Sequence, residues 1–175
     1  MNRQGILSLL TCLTVIAILL SSSTLHAQDS CQPVFDALTK VVTTPSHSYS
    51  THTMDGRQTI SEVIYTQGNV FVRVQGKWTK SPYDPKKILE QVAEDRKHAT
   101  TTCQIAREES VNGQPATVYS MHSKTEDSTG VGQLWIAKGT GLPLREEMDI
   151  DFGGSEIGKN HQSPRYEYGN ILPPM

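Results

Sequence analysis

The sequence predicts an α+β fold in which a curved antiparallel β half-barrel, a meander of about eight strands, is covered on its concave face by two helices. Three observations lead to this prediction. Most segments after residue 45 alternate apolar and polar side chains, they are joined by short turns such as Asp55-Gly56 and Asn112-Gly113, and two segments repeat apolar residues at helical spacing. Short turns join antiparallel neighbours, and strand twist that accumulates across a meander curls the sheet.

The N-terminal segment predicts export. Arg3 precedes an apolar run over residues 6–20, and Ala27 offers a small residue at a cleavage position. This pattern is typical of a secretory signal peptide over residues 1–27. A membrane anchor is the alternative, but the run is shorter than the roughly 20 residues that a spanning helix needs. We therefore expect a periplasmic or secreted protein with one domain over residues 28–175.

Charge and cysteine content restrict the partners of the mature chain. Residues 28–175 carry 15 basic and 18 acidic residues, and no Lys/Arg cluster interleaves with aromatic residues, which argues against nucleic acid as a partner. The two cysteines of this part, Cys31 and Cys103, predict one disulfide in an exported domain. A redox or metal role is the alternative, and neither cysteine has a CxxC motif or a nearby histidine at ligand spacing to support it.

Two helices are predicted. Residues 31–44 carry an apolar stripe formed by Val34, Phe35, Leu38, Val41 and Val42, and Pro45 follows. Residues 84–97 begin with Asp84 as N-cap and Pro85 in the first turn, and one side of this segment is apolar. Both patterns predict amphipathic helices that lie on a surface.

The predicted strands fall into two groups around the second helix. The first group comprises residues 46–54, 58–66 and 70–75, with Gly76 leading into Lys-Trp-Thr-Lys-Ser-Pro. The second group comprises residues 101–110, 114–125, 131–138 and 142–152. After a polar loop over residues 153–162, a final strand is predicted from Pro164 to Ile171.

The hairpin over residues 131–152 raises the question of what fills the interior. Leu134 and Ile136 point to one side of the first strand, and Trp135 and Ala137 to the other, which is typical of a strand covered on both faces. A small packed core with Trp135 as filler is one interpretation. The other is an apolar cavity that binds lipid. The cavity would be lined by Val72, Val74, Trp78, Leu134, Trp135, Leu144, Met148 and Ile150.

The order of these elements resembles the lipoprotein-carrier superfamily of LolA and LolB. The resemblance rests on the N-terminal helix, the meander, the helix after Gly76-Lys-Trp-Thr-Lys-Ser-Pro82, the segment Trp135-Ile136 with Thr140-Gly-Leu-Pro-Leu-Arg145, and the closing Tyr-Glu-Tyr-Gly-Asn-Ile. It implies a half-barrel with helices as a lid over an apolar cavity and no cofactor. It also implies a lipid or lipoprotein-like client, with a membrane-associated donor or acceptor protein as a further partner.

Motifs for catalysis do not support an enzyme. The sequence has no GxSxG, no HExxH and no phosphate-binding glycine loop, and its histidines are scattered. The carboxylates Glu147, Asp149 and Asp151 alternate along one strand, which favours a solvated face. The sequence therefore favours a non-enzymatic binding protein or chaperone for an apolar client. An enzyme that uses the same cavity, or an interaction domain with a filled core, stays open as an alternative.

Overall fold

The computed structural model describes residues 30–66, 68–74, 76–153 and 158–174. It contains one open, nine-stranded antiparallel sheet in the order β4-β3-β2-β1-β9-β8-β7-β6-β5 and two α-helices, so the predicted fold class is confirmed. The strands are β1 Ser46–Met54, β2 Arg57–Thr66, β3 Asn69–Val74, β4 Lys77–Pro82, β5 Thr100–Val111, β6 Gln114–Lys124, β7 Thr129–Ala137, β8 Pro143–Asp151 and β9 Lys159–Tyr168. The helices are α1 Gln32–Thr43 and α2 Pro85–Asp95, followed by a 3₁₀ turn Arg96–His98.

Two strand predictions need correction. Residues 77–82, which the sequence prediction leaves outside the strands, form the ninth strand β4, because they pair with β3 along their whole length. The last strand begins at Lys159, five residues before the predicted start. The polar residues Lys159 to Gln162 enter the sheet because β1 pairs with them on one side and β8 on the other. Pairing on both sides here overrides the weak alternation of the sequence.

The strand register defines two faces of the sheet. Leu134 and Met148 share one face with Tyr166 and Ser48, and α1 packs on this face, which we call the helix face. The opposite face, which carries Trp135, is called the outer face. Because side chains alternate along each strand, this assignment extends to every strand of the sheet.

Helix α1 is anchored to the sheet by apolar packing and by a disulfide. Val34 and Ala37 are buried against Leu134 and Ile136. The predicted disulfide between Cys31 and Cys103 is present, with a Cα–Cα distance of 5.0 Å, and it joins the start of α1 to β5.

Helix α2 is held differently. Asp84 caps its start by accepting a hydrogen bond from the backbone N–H of Lys86 at 3.1 Å, as predicted. The helix contacts α1, and none of its residues is buried. Neither this helix nor α1 is long and apolar enough to cross a membrane; the search covered the described residues only.

Candidate functional site

The helix face is packed unevenly along the sheet. Strands β5 to β8, together with α1, form the packed half. Both hydrophobic clusters of the described residues lie in this half, and Tyr168 of the neighbouring strand β9 packs against the second cluster from its margin. Strands β1 to β4 and β9 form the open half. Here Ile64 is the one buried large hydrophobic residue among those described, and the register places it on the outer face. The helix face of the open half is therefore the region where side chains are left to contact a ligand.

Small residues and tyrosines lie side by side on the helix face of the open half. Ser46 of β1 is paired with Tyr65 on one side and with Tyr168 on the other, and Ser48 is paired with Tyr166. We call these five residues the serine–tyrosine strip. The two serines are themselves buried, so the larger phenol rings beside them are the side chains that a client would meet first.

One hydroxyl of the strip has no hydrogen-bond partner. Ser46 is 0% exposed, and its Oγ contacts no donor or acceptor among the described residues. The Oγ of Ser48 donates to the Val63 carbonyl at 3.5 Å, the limit of a hydrogen bond. A buried hydroxyl without a partner costs about 1–3 kcal/mol, so Ser46 offers a hydrogen bond to a ligand that reaches it.

A cavity of about 250 Å³ lies beside the strip, between the end of α1 and strand β2. Val42, Tyr65 and Tyr83 contribute to its wall, with the two tyrosine rings 5.0 Å apart. The Tyr83 hydroxyl donates to the Val42 carbonyl at 3.0 Å, and burial raises the pKa of this hydroxyl to about 12. The cavity wall thus combines two tyrosine rings, a valine and two prolines with three threonines, and its Tyr83 hydroxyl is neutral at physiological pH.

A carboxyl group lies where the two halves meet. Glu146 of β8 points to the helix face and is hydrogen-bonded to the Tyr166 side chain. Burial raises the pKa of Glu146, and the hydrogen bond from Tyr166 opposes this shift only in part. Burial also raises the pKa of Tyr166, with the nearby Glu146 carboxylate adding to the effect. Glu146 can therefore hold a proton more readily than a solvated glutamate.

The eight residues predicted to line one cavity do not lie together. Val72, Leu134, Met148 and Ile150 lie on the helix face, whereas Trp78 and Trp135 lie on the outer face. Leu134 is 0% exposed beneath α1, and Met148 packs against the same cluster. The side chain of Val74 lies outside the described residues. Of the predicted set, Val72 and Ile150 are the half-buried side chains on the helix face that lie outside both clusters.

Leu144 is displaced by a β-bulge. The alternation of the sequence places Leu144 on the same face as Met148, but the register between β7 and β8 shifts at Trp135 and Ile136, so that Leu144 becomes an extra residue. Its side chain packs instead with Trp135 and Val118 in the second cluster. A period-two pattern cannot reveal this, because one inserted residue reverses every face assignment beyond it.

The outer face is organised by a row of residues that crosses all nine strands. In register order the row consists of Trp78, Arg73, Glu62, Tyr49, Arg165, Arg145, Trp135, Val118 and Arg107. The guanidinium groups of Arg145 and Arg107 lie 4.7 Å and 5.5 Å from the centre of the Trp135 ring, and the Trp135 Nε1 donates to Glu109 at 2.5 Å. Trp135 is therefore part of the second hydrophobic cluster, and charged side chains separate its ring from solvent.

Acidic side chains pair with most of these arginines. Arg145 donates to Glu147 at 2.6 Å, and the Nε2 of His161 lies 3.1 Å from the same carboxylate. Burial alone would raise the pKa of Glu147, but hydrogen bonds from Arg145 and Ser163 outweigh it and hold this pKa below its ordinary value. The predicted solvated carboxylate face is thus a network of ion pairs.

A larger cavity of about 590 Å³ opens at the far end of the sheet. Its wall combines the apolar side chains of Val131 and Ile150 with the titratable side chains of Asp55, Asp149, Asp151, Lys159 and His161. No group of three or more His, Cys, Asp or Glu side chains is arranged to hold a metal ion within the described part of the chain.

The sequence prediction missed several residues of the strip and its cavity. Val42 lies in α1, Tyr65 lies in β2 and Tyr83 lies between β4 and α2, and no spacing in the sequence connects them. One signal was present, since Tyr166 and Tyr168 alternate on one strand and share a face. In the sequence, the serines of β1 form part of a polar segment. Polar residues of this kind do not indicate a site until the neighbouring strands are known.

Comparison with known proteins finds likeness in structure but not in sequence. No family model and no curated protein matches the chain. The lipoprotein LppX of Mycobacterium tuberculosis is similar over 83% of this chain and 98% of its own, with 10% identity and a TM-score of 0.48. MucB in complex with MucA(peri) is similar over 82% of this chain, with 13% identity and a TM-score of 0.48, and this chain spans 57% of MucB.

A third similar structure is LprF of Mycobacterium bovis, with 11% identity, a TM-score of 0.40 and 85% of this chain covered. Likeness of this degree carries no conclusion about activity. Membership of the lipoprotein-carrier superfamily stays a prediction from the sequence.

Proposed function

We propose that the chain is an extracytoplasmic, non-enzymatic binding protein that holds an apolar client, such as the acyl chain of a lipid or lipoprotein, on the helix face of its open half. The observation that carries the proposal is the uneven cover of this face. Over the packed half, α1 buries Leu134 and Ile136, whereas Val72 and the strip lie outside that cluster, and only Tyr168 of the strip packs against the second cluster. Removing such half-buried apolar surface from water is the free-energy source for binding an acyl chain.

Helix α2 is the element that would move to admit the client. The cavity of about 250 Å³ is smaller than the roughly 300–1,000 Å³ of typical ligand pockets. Since no residue of α2 is buried and Ile88 is exposed, displacement of this helix costs little apolar burial. The client would then contact Leu89 and Val92, the half-buried apolar residues of α2.

The polar end of the client would lie near Ser46. This residue lies on the helix face, and its Oγ has no partner among the described residues. A carbonyl or hydroxyl group at the head of an acyl chain would satisfy Ser46.

The disulfide supports the extracytoplasmic location in the proposal. The Cys31–Cys103 disulfide is the kind of bond that persists outside the cytoplasm, in agreement with the signal peptide predicted over residues 1–27, which lie outside the described part. A periplasmic or secreted carrier would receive its client from a membrane-associated donor and pass it to an acceptor protein.

Displacement of a fluorescent fatty acid from the processed protein tests the proposal. We expect saturable binding with a micromolar Kd. Val42→Trp should fill the cavity beside the strip and weaken binding at least about tenfold, equivalent to about 1.4 kcal/mol. The matched control is Ile60→Trp, at a residue of the outer face that is exposed, and it should bind as the wild type does.

An interaction domain with a filled interior is the second candidate function, and the close packing of α1 on Leu134 and Ile136 favours it. It predicts no saturable binding of acyl probes by a protein that is folded by circular dichroism. That result, or equal binding by Val42→Trp and the wild type, would rule out the acyl-binding proposal.

A further inference from the structure

The two edges of the open sheet differ in how they are protected. Strand β4 is six residues long, carries Lys77 and Lys80, and ends in Pro82. Short length, lysine and proline are the devices by which natural sheets prevent pairing at an edge. Strand β5 at the opposite edge is twelve residues long and contains neither lysine nor proline. Strand β4 is thus protected along its whole length, whereas β5 carries its bulge and its charged residues from Ala106 onward and leaves the residues before them available for a further strand.

The free edge of β5 is solvent-exposed and apolar in part. Residues 104–108 are all exposed, and Ile105 on the helix face is 64% exposed. No strand of the described residues pairs with this edge. An exposed strand with unpaired backbone N–H and C=O groups binds another extended strand through main-chain hydrogen bonds.

We propose that two copies of the chain associate by antiparallel pairing of the segment Thr100–Ala106 of β5, so that the two sheets become one. The second copy is the occupant because its own segment is already extended, carries no charge and has the same unpaired edge. A flexible peptide would lose conformational freedom on pairing, whereas this segment is held by β6 in both partners.

The regular part of the edge selects the register of the pair. A two-fold axis at Arg107 or Glu109 would place like charges opposite each other, which is unfavourable in a sheet, and an axis at Glu108 would run the pairing across the bulge at Ala106. An axis at Cys103 avoids this. Thr102 then lies opposite Gln104 of the second copy, and Thr101 lies opposite Ile105.

Two local features define the length of the paired segment. The register of β5 against β6 shifts between Ile105 and Arg107, so that Ala106 forms a bulge and the regular edge ends there. The disulfide at Cys103 holds the centre of the segment against α1. The pair is symmetric, so each substitution in the segment acts twice.

Sedimentation equilibrium of the processed protein tests the proposal. We expect a monomer–dimer equilibrium that is detectable at about 0.5 mM, where an interface with a Kd of about 0.1 mM is mostly dimeric. Ile105→Lys should weaken dimerisation at least about tenfold, because edge lysines oppose strand pairing. The matched control is Val131→Lys, at a residue that is 55% exposed but is paired with β6 on one side and β8 on the other, and it should leave the equilibrium unchanged.

Hydrogen exchange at low and high protein concentration gives a second measurement that needs no variant. We expect amides of residues 100–106 to exchange more slowly at the higher concentration and those of residues 77–82 to be unaffected. A protein that stays monomeric, or a dimer that forms without protection of residues 100–106, would overturn the proposal. A strand from another protein would then be the alternative partner for this edge. Because the acyl-binding assay is run on the monomer, its outcome is independent of this test.

Discussion

The packed half and the open half are built from the same antiparallel strands, yet their side chains are fixed to different degrees. In the packed half, β7 is apolar on both faces, with Leu134 under α1 and Trp135 under two arginines. In the open half, β1 presents Ser46 and Ser48 to the helix face. The difference teaches that a strand covered on both faces forms the core of the domain, whereas neighbouring strands of the same sheet can carry small polar side chains on the same face, where we propose that a client binds.

The disulfide belongs entirely to the packed half and gives the largest expected effect on stability. Replacing Cys31 and Cys103 together by alanine should lower the free energy of unfolding by about 4 kcal/mol, because the bond closes a loop with a sequence separation of 72 residues. Urea denaturation of the double variant measures the loss. The reduced wild-type protein is the control and should unfold at the same urea concentration as the variant. A loss below about 1 kcal/mol would mean that α1 is held by packing alone.

Truncation of one apolar side chain in each half tests the comparison directly. Leu134→Ala should cost about 2–5 kcal/mol, because it leaves a cavity in a fully buried site beneath α1. Val72→Ala, in the open half, should cost about 1 kcal/mol, since this side chain is half-buried and lies outside both clusters. Thermal unfolding compares the two. Equal losses would contradict the division of the sheet into two halves.

Glu146, where the halves meet, gives the smallest expected effect, and this effect depends on pH. Burial raises its pKa above the value in the unfolded chain, so its favourable contribution is complete at low pH and is lost as pH rises through the folded-state pKa. Glu146→Gln should therefore match the wild type near pH 4 and be more stable than the wild type at pH 8. Urea denaturation at both pH values measures this difference. An equal shift at both pH values would show that Glu146 acts through packing and not through its charge.

Much of the fold could be predicted because its signals are local. Asp55-Gly56 and Asn112-Gly113 turn the chain at the predicted places, each with backbone dihedrals of positive φ. The candidate site could not be predicted to the same degree. The register shift at Leu144 moves one predicted cavity residue to the second cluster, and Trp78 lies beside Arg73 on the outer face. Pairing across strands decides such assignments, and pairing is not encoded in the alternation of a single strand.

By itself, the sequence determined the fold class, the two helices, the disulfide and most of the turns. Each of these depends on residues close together in the chain or on a residue type with one strong structural preference. Only the tertiary structure decided which face each strand presents, that β4 joins the sheet, and that Ser46 lies between Tyr65 and Tyr168. The physical reason is that a sheet face is assembled from strands distant in sequence, and a shift of one residue in register reverses what every side chain contacts.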